Sequence, residues 1–340
     1  MKRTLSILLS AVLLAAAPGC GNGGAGGSGK STLIKIDGSS TVYPVTEAVA
    51  EEFQKAKMGS VNVTVGISGT GGGFKKFCRG DIDISDASRP ILKEEMDLAK
   101  ENGIDYVELP VCFDALTVVV NSENDWCTEI TVDELKKIWE PAAQKTITHW
   151  NQIRPEWPNE EFVLFAPGAD SGTFDYFTEA ICGKSKSSRG DFTASEDDHT
   201  LVVGVEGNKY ALGYFGYAYY EPNQDRLKAV AIQWDKNSVS EAVLPSRETV
   251  LNGTYNPLSR PLFLYVNKES AQRADVKEFV EFYLTKGPEL AREVKYVPLP
   301  DKAYEMALER FQKMQTGTGF GGVPEVGLTV EEILQRTPKS

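Results

Sequence analysis

The sequence predicts an α/β protein with two lobes that are joined by crossings of the chain. Its 340 residues are 41% hydrophobic, which is enough to bury more than one core. A strand–turn–helix unit recurs along the chain, and two apolar runs are placed to act as strands that cross between lobes. Alternation of strands and helices favours sheets covered by helices, so each lobe is predicted to be α/β.

The first lobe begins with the strand–turn–helix unit. Residues 32–36 predict a strand, a turn follows, and Pro44 stands in the first turn of a helix with apolar residues at helical spacing. The unit returns at residues 61–78. Residues 81–85 are again typical of a strand, which a proline ends before a helical stretch from Lys93.

The second lobe is predicted to start where the apolar run 115–120 crosses from the first lobe. A third strand–turn–helix unit follows at residues 162–181, and residues 204–220, rich in glycine and tyrosine, are predicted to form sheet and turns. The strand 261–267 then returns the chain to the first lobe. Further helices are predicted from Ala271 and Tyr304, and the predicted lobes are residues 32–114 with 262–340, and residues 115–261.

The N-terminal segment has the features of an export signal. Lys2 and Arg3 precede a short apolar run and a small-residue cleavage site, so residues 1–19 are predicted to be a signal peptide. Cys20 directly follows that site, as at the start of a bacterial lipoprotein, and residues 20–31 are predicted to be a lipidated, glycine-rich tether. A cleaved signal with a spare cysteine is the alternative. We expect an exported protein, lipid-anchored in the periplasm or on the cell surface.

Four cysteines remain after the predicted lipidation site. Their even number in an exported chain predicts two disulfides, for which three connectivities exist. We favour the pairing that keeps each bridge within one lobe, with buried free thiols as the alternative. No pair has CxxC spacing and neither histidine is near a cysteine in sequence, so no metal site or cofactor is expected. The favoured pairs are Cys78 with Cys112 and Cys127 with Cys182.

The net charge argues against one class of function, and a motif that suggests another class does not fit its place in the sequence. The formal net charge is −12 and no basic stretch interleaves with aromatic residues, so nucleic acid is not an expected partner. Residues 24–31 fit GxxxxGK[ST], the phosphate-cradling loop of nucleotide hydrolases. That loop must follow a strand and open a helix, whereas here it lies in the predicted tether and precedes a β-rich run. We therefore do not assign it a function.

Three turns that combine hydroxyl residues with glycine are better candidates for an anion site. They include Ser40 and Thr41, then Thr70, then Ser171 with Thr173, and each is predicted to open a helix. A helix start offers unpaired N–H groups and the positive end of the dipole, and hydroxyls add donors. Ordinary helix capping uses the same residue types and is the alternative for any single turn. Three such turns together indicate an oxyanion site.

Two charged residues could complete such a site. Arg89 has a planar, permanently charged guanidinium suited to phosphate, although it could equally be a surface residue before a turn proline. Asp86 could accept the proton of monohydrogen phosphate and repel sulfate, which has none. A third charged residue, Asp170, stands directly before the Ser-Gly-Thr turn, where its role could be only to cap the helix that follows.

Four runs of the sequence carry a resemblance to a known family. The runs are Asp37-Gly38-Ser39-Ser40-Thr41-Val42-Tyr43-Pro44, Gly66-Ile67-Ser68-Gly69-Thr70-Gly71-Gly72-Gly73-Phe74-Lys75-Lys76-Phe77, Asp86-Ala87-Ser88-Arg89-Pro90 and Asp170-Ser171-Gly172-Thr173-Phe174. In this order they resemble the phosphate-binding lipoproteins of the Pst ABC transporter. The resemblance covers most of the expected mature chain and implies a type II-like periplasmic-binding-protein fold, with hinge crossings and a phosphate cleft between two lobes.

The resemblance also implies which residues surround the ligand. Some family members carry an arginine a few residues before the Ser-Gly-Thr turn, but residues 167–170 contain none, so Arg89 is the expected cation. Some place the proton-accepting aspartate where this chain has Ser88, so Asp86 is the candidate for that role. The implied ligand residues are Ser40, Thr41, Val42, Thr70, Ser88, Arg89, Ser171, Gly172 and Thr173.

The expected function is therefore capture of inorganic phosphate by hinge closure and its delivery to the permease of an ABC transporter, by a protein that is monomeric and not an enzyme. A binding protein for another tetrahedral oxyanion, such as sulfate or molybdate, is the first alternative. A secreted phosphatase is the second. With two histidines, neither near a Gly-x-Ser-x-Gly turn, and no clustered metal ligands, it has little support. A surface adhesion or sensing lipoprotein is the third.

Overall fold

A computed structural model describes residues 31–339, except 170, 196, 324, 326 and 327. The predicted signal peptide, the lipidation of Cys20, the tether and its glycine-rich motif up to residue 30, and the role of Asp170 lie outside the described residues. Among the residues that are described, no helix is both long enough and apolar enough to cross a membrane.

Strands and helices alternate through most of the described chain. The strands are β1 (Thr32–Gly38), β2 (Val61–Ile67), β3 (Ile84–Ala87), β4 (Tyr106–Asn121), β5 (Glu129–Thr131), β6 (Val163–Pro167), β7 (Thr193–Ser195), β8 (Ala211–Gly216), β9 (Leu227–Ala229), β10 (Ala231–Gln233), β11 (Ser259–Asn267) and β12 (Val297–Pro298). The helices are α1 (Tyr43–Ala56), α2 (Thr70–Phe77), α3 (Lys93–Glu101), α4 (Val132–Trp139), α5 (Gly172–Cys182), α6 (Asp198–Glu206), α7 (Tyr217–Tyr220), α8 (Arg247–Leu251), α9 (Ala274–Glu293), α10 (Asp301–Gln312) and α11 (Val330–Gln335).

One long strand, β4, belongs to both halves of the main sheet. The strand order is β2-β1-β3-β11-β4-β8-β6-β7, with β12 and β9 also paired to β4. The first half of β4 pairs with β11, and its second half, from Leu116, pairs with β8 and β9. β1, β2 and β3 are parallel, so their carboxyl ends, and the turns that open α1 and α2, lie at one edge.

Helices cover both faces of the first half of the sheet. On one face α1 packs against α9, where the ring of Phe53 lies 5.3 Å from that of Phe279. On the other face α2 contributes Phe74, whose ring lies 4.8 Å from that of Tyr265. β3 lies in the middle of this half and is buried along its whole length. Polar side chains on it are therefore removed from water.

Most of the elements predicted from sequence are confirmed. The strand at residues 61–67 has the predicted bounds, and the crossing strand 115–120 is part of β4. The interpretation of 204–220 as sheet and turns is partly wrong, because α6 extends to Glu206 and α7 begins at Tyr217. The predicted lobe boundaries fall inside β4 and β11 and stay predictions.

The predicted disulfides are wrong, since all four cysteines in the described chain are free thiols. Cys78 packs in the cluster around α2, and its Sγ donates to the carbonyl of Glu95 at 3.3 Å. Cys112 lies in a different cluster, on β4. Burial raises the pKa of Cys78 to about 11 and that of Cys127 to about 12, so both remain protonated and unreactive near neutral pH.

Candidate anion-binding site

The first predicted turn connects β1 to α1 and leaves the start of that helix open. Gly38 has φ +150°, and a Cβ there would lie 2.1 Å from the carbonyl oxygen of Asp86, so only glycine fits. The N–H of Ser39 donates to the same oxygen at 3.0 Å, which fixes the turn beside β3. Val42 precedes the helix and no side chain caps it. The N-terminus of α1 is thus available to an anion.

The second turn leads into α2, which also begins without a side-chain cap. The hydroxyl oxygens of Thr70 and Ser88 are 2.9 Å apart, and the N–H of Ser88 donates to Thr70 Oγ1 at 3.1 Å. A Cβ on Gly73 would lie 2.6 Å from Gly38 Cα, so glycine allows α2 to approach the end of β1. The structure therefore joins Thr70 to Ser88 and sets both beside the first turn.

The third turn differs from the other two because it caps its own helix. The N–H of Thr173 donates to Ser171 Oγ at 3.2 Å, so ordinary capping describes this serine. Gly172 has a separate role. A Cβ there would lie 3.0 Å from Thr41 Oγ1 and 3.1 Å from Thr41 N, so the third turn touches the first. Two predicted ligand segments about 130 residues apart meet at this point.

Arg89, the cation expected from sequence, is already engaged. Its Nη1 and Nη2 donate to the two oxygens of Glu95 at 2.9 and 2.8 Å, which is a bidentate ion pair. The guanidinium also lies over the ring of Phe74, 5.4 Å from its centre. Arg89 does sit next to Ser88, but its charge is balanced and its geometry is fixed by Glu95.

The position of Asp86 disagrees with its predicted role as a proton acceptor for the ligand. Its side chain is fully buried, and both carboxyl oxygens lack a hydrogen-bond partner within the described chain. Burial raises its pKa to about 8, so the neutral acid is favoured at pH 7. Alternation along β3 puts Asp86 on the same face as Ile84, which packs in the core with α1, so the carboxyl group points into that core.

Arg260, at the start of β11, is the site residue that sequence reasoning missed. Its Nη2 donates to Thr41 Oγ1 at 3.1 Å, and its guanidinium stacks 3.6 Å from the centre of the Tyr176 ring. The nearest carboxylate oxygens, on Asp114 and Glu179, are 3.7 Å away, beyond hydrogen-bond distance. The available signal was Arg260-Pro261, which repeats the dipeptide Arg89-Pro90 at another strand boundary.

Two further groups lie close by, Tyr296 at Thr41 and Asp114 at Arg260. The hydroxyl of Tyr296 donates to the carbonyl oxygen of Thr41 at 2.7 Å. Asp114 on β4 is 6% exposed, and burial raises its pKa to about 6 although the nearby Arg260 guanidinium opposes that shift. Asp114 is therefore mostly ionised at pH 7. Thr41 thus lies among Gly172, Arg260 and Tyr296.

The described residues contain no cluster of three or more histidine, cysteine or acidic side chains that could hold a metal ion. The site consists instead of helix N-termini, hydroxyls and a guanidinium. These groups donate hydrogen bonds and carry positive charge, so the arrangement is suited to an oxyanion.

Comparison with known proteins gives the family. A family model described as a PBP superfamily domain matches residues 22–286. The chain belongs to this superfamily. It is 53% identical over 308 residues to Protein SphX of Synechococcus elongatus, which covers 91% of this chain and 90% of that protein. It is 39% identical over 289 residues to the phosphate-binding protein PstS of Staphylococcus saprophyticus, covering 84% and 86% of the two chains.

A solved structure supports the same assignment. The chain is similar, with a TM-score of 0.79 and 48% identity, to a possible phosphate binding protein from Planctomyces limnophilus, and the match covers 83% of this chain and 98% of that one. The resemblance to PstS proteins and the α/β periplasmic-binding-protein fold are therefore confirmed. The assignment of individual ligand residues stays a prediction.

Proposed function

We propose that this protein binds inorganic phosphate in the cleft formed by its three Ser/Thr-Gly turns and delivers it to the permease of an ABC transporter. The proposal rests on one observation. Gly172 contacts Thr41, and Arg260 donates a hydrogen bond to Oγ1 of the same threonine. Two turns distant in sequence and one loosely paired cation converge there. The relatives named as phosphate-binding proteins support the choice of anion.

The groups of the site that are available for hydrogen bonding explain how the anion would be bound. The N-termini of α1 and α2 lack side-chain caps, so their N–H groups and positive dipole ends can replace the water shell of the anion. Arg260 supplies a full positive charge, and the hydroxyls of Thr41, Thr70 and Ser88 add donors. Val42 contributes only its N–H, since its side chain is fully buried.

Hinge closure explains how the ligand would be held and released. The proposed lobes, residues 32–114 with 262–340 and residues 115–261, meet at β4 and β11, which pair with each other at the predicted boundaries. Thr41 belongs to one lobe and Gly172 to the other. An anion that contacts both turns favours the closed state, because those contacts exist together only there.

The remaining parts of the proposal concern place and partners. We propose export by the signal peptide, attachment through a lipid on Cys20, and a monomer that reaches the membrane only through that anchor. The described residues of the site are helix N-termini, hydroxyls and a guanidinium, and two of the relatives are named as phosphate-binding proteins, so we propose a transport receptor and not an enzyme.

Discrimination against sulfate requires a group that accepts the proton of monohydrogen phosphate. Because Asp86 is sealed beneath α1, we assign this role to Asp114, which keeps some exposed surface and lies beside Arg260. Binding of another tetrahedral oxyanion is the competing function.

Calorimetric titration of phosphate-stripped protein, with phosphate and separately with sulfate, tests both assignments. We expect phosphate to bind at least about 100-fold more tightly, since an unpaired buried carboxylate beside sulfate costs about 3 kcal/mol. Asp114→Asn should reduce this ratio at least tenfold, whereas Asp86→Asn, the matched control, should leave it unchanged. Equal affinities in the wild type would reject phosphate as the ligand. An effect of Asp86→Asn alone would restore the role expected from sequence.

A further inference from the structure

A cavity of about 270 Å³ lies directly beside the anion site. Ser88, Arg89 and Arg260 are among the residues that line it. Two of them connect it to the anion-binding turns, Ser88 through Thr70 and Arg260 through Thr41. A ligand held by those turns is therefore adjacent to the cavity.

The walls of this cavity are mostly apolar. They include Phe113 of β4, Tyr176 and Ala180 of α5, and two prolines, Pro257 just before β11 and Pro261 within it. The cavity volume is just below the ~300–1,000 Å³ of pockets for drug-sized ligands, which leaves room for a small organic group.

Inorganic phosphate gains nothing from contact with an apolar wall, because its four oxygens all require polar partners. A phosphonate, or a monoester of phosphate, keeps three oxygens for the turns and carries one organic substituent. Resting on the proposed phosphate site, we propose that the protein also binds small alkyl- or aryl-substituted phosphate monoesters and phosphonates, with the substituent in the cavity lined by Phe113, Tyr176 and Ala180.

The head group that fits the site is the monoprotonated anion, whose P–OH can donate to Asp114 as proposed for phosphate, and the charged residues that line the cavity are Arg89, Arg260, Glu179 and Glu325. Glu95 neutralises Arg89 on the side of α3, and the guanidinium of Arg260 is stacked on Tyr176 with its Nε buried and without a partner in the described chain. The organic substituent would lie against Tyr176 and the prolines, while the oxygens face Arg260 and the two hydroxyl turns. Burial of the apolar substituent then offsets the loss of one oxygen's hydrogen bonds.

The test is calorimetric titration of phosphate-stripped protein with phosphate, ethylphosphonate and phenylphosphonate. Phosphonates are chosen because the C–P bond cannot hydrolyse and release phosphate during the measurement. We expect phenylphosphonate to bind within about 100-fold of phosphate, which corresponds to about 2.7 kcal/mol. Selection of phosphate by more than about 1,000-fold over both phosphonates would overturn the inference.

A cavity-filling variant locates the substituent. Ala180→Leu extends a side chain into the cavity and should weaken phenylphosphonate at least tenfold, while phosphate affinity changes less than about threefold. Ala56→Leu, the same substitution at an exposed position near the end of α1, should change neither. Equal weakening of both ligands by Ala180→Leu would place the substituent elsewhere and reject the cavity. If the wild-type protein did not bind phosphate, the proposed function itself would be rejected.

Discussion

The two arginines beside the anion site differ in how their charges are held. Arg89 forms a bidentate pair with Glu95 at 2.8 and 2.9 Å, whereas Arg260 stacks on an aromatic ring and has its nearest carboxylates at 3.7 Å. A guanidinium that already makes two short bonds to one carboxylate has little to offer an anion, since binding would have to break them. A position beside the site is therefore not enough for an arginine to bind the anion. The loosely paired cation is the one available to the ligand.

The largest expected effect comes from removing the available cation. Arg260→Ala should weaken phosphate binding about 1,000-fold, because it removes a charged donor and leaves Asp114 without a cation, together worth about 4 kcal/mol. Arg89→Ala should weaken it no more than about tenfold, through displacement of Ser88. Calorimetry measures both, and Arg226→Ala, at a partly exposed arginine paired with Glu206, serves as the control. A larger loss for Arg89→Ala would reverse the comparison.

The second effect concerns the carboxylate beside Arg260. The folded protein raises the pKa of Asp114 from 3.8 to about 6, so between those values it binds more protons than the unfolded chain, and stability falls as pH rises. The loss should total about 3 kcal/mol and level off above pH 6. Asp114→Asn should flatten this part of the profile, measured by urea unfolding from pH 4 to pH 9.

Asp86→Asn is the matched comparison for that measurement. Because the pKa of Asp86 is raised to about 8, its share of the fall in folding stability should continue to about pH 8. That share should be missing only in Asp86→Asn. If both variants showed the wild-type profile, neither carboxyl would be buried as described.

The smallest of these effects tests the contact that brings Arg260 and the third turn to Thr41. Gly172→Ala should weaken phosphate binding about tenfold, since its methyl group would crowd Thr41 at 3.0–3.1 Å and keep the turns apart, at a cost of about 1.4 kcal/mol. Gly190→Ala is the control, because its added methyl group meets only Gln144 Oε1 at 3.6 Å. Unchanged affinity in Gly172→Ala would show that closure does not need this approach.

Sequence alone predicted the helix starts well because local chemistry determines them. Pro44 is suited to a first helical turn, and Gly69, at φ +74°, adopts a conformation that glycine favours before α2. The same local evidence could not show that Ser171 caps α5 while α1 and α2 stay uncapped. That distinction depends on side-chain orientation at each turn.

The parts that sequence could not supply depend on contacts between distant residues. Arg260 meets Thr41 across 219 positions, and nothing local in either segment marks the pair. Asp86 was expected at the ligand, but β3 is covered on both sides by β1 and β11 and on both faces by helices, so alternation turned its side chain into the core. The cysteine pairing failed for the same reason, since spacing along the chain does not give spatial separation.

The place of β11 between β3 and β4 has a consequence for how the chain is made. β3 ends at Ala87, but the strand that covers its edge begins at Ser259, about 170 residues later. At a synthesis rate of ~5–20 residues per second, that edge stays without its partner for roughly 10–30 s. During this interval the half-built sheet exposes unpaired N–H and C=O groups to any neighbouring strand. Until β11 has emerged, β3 therefore offers other chains an edge with which they can pair.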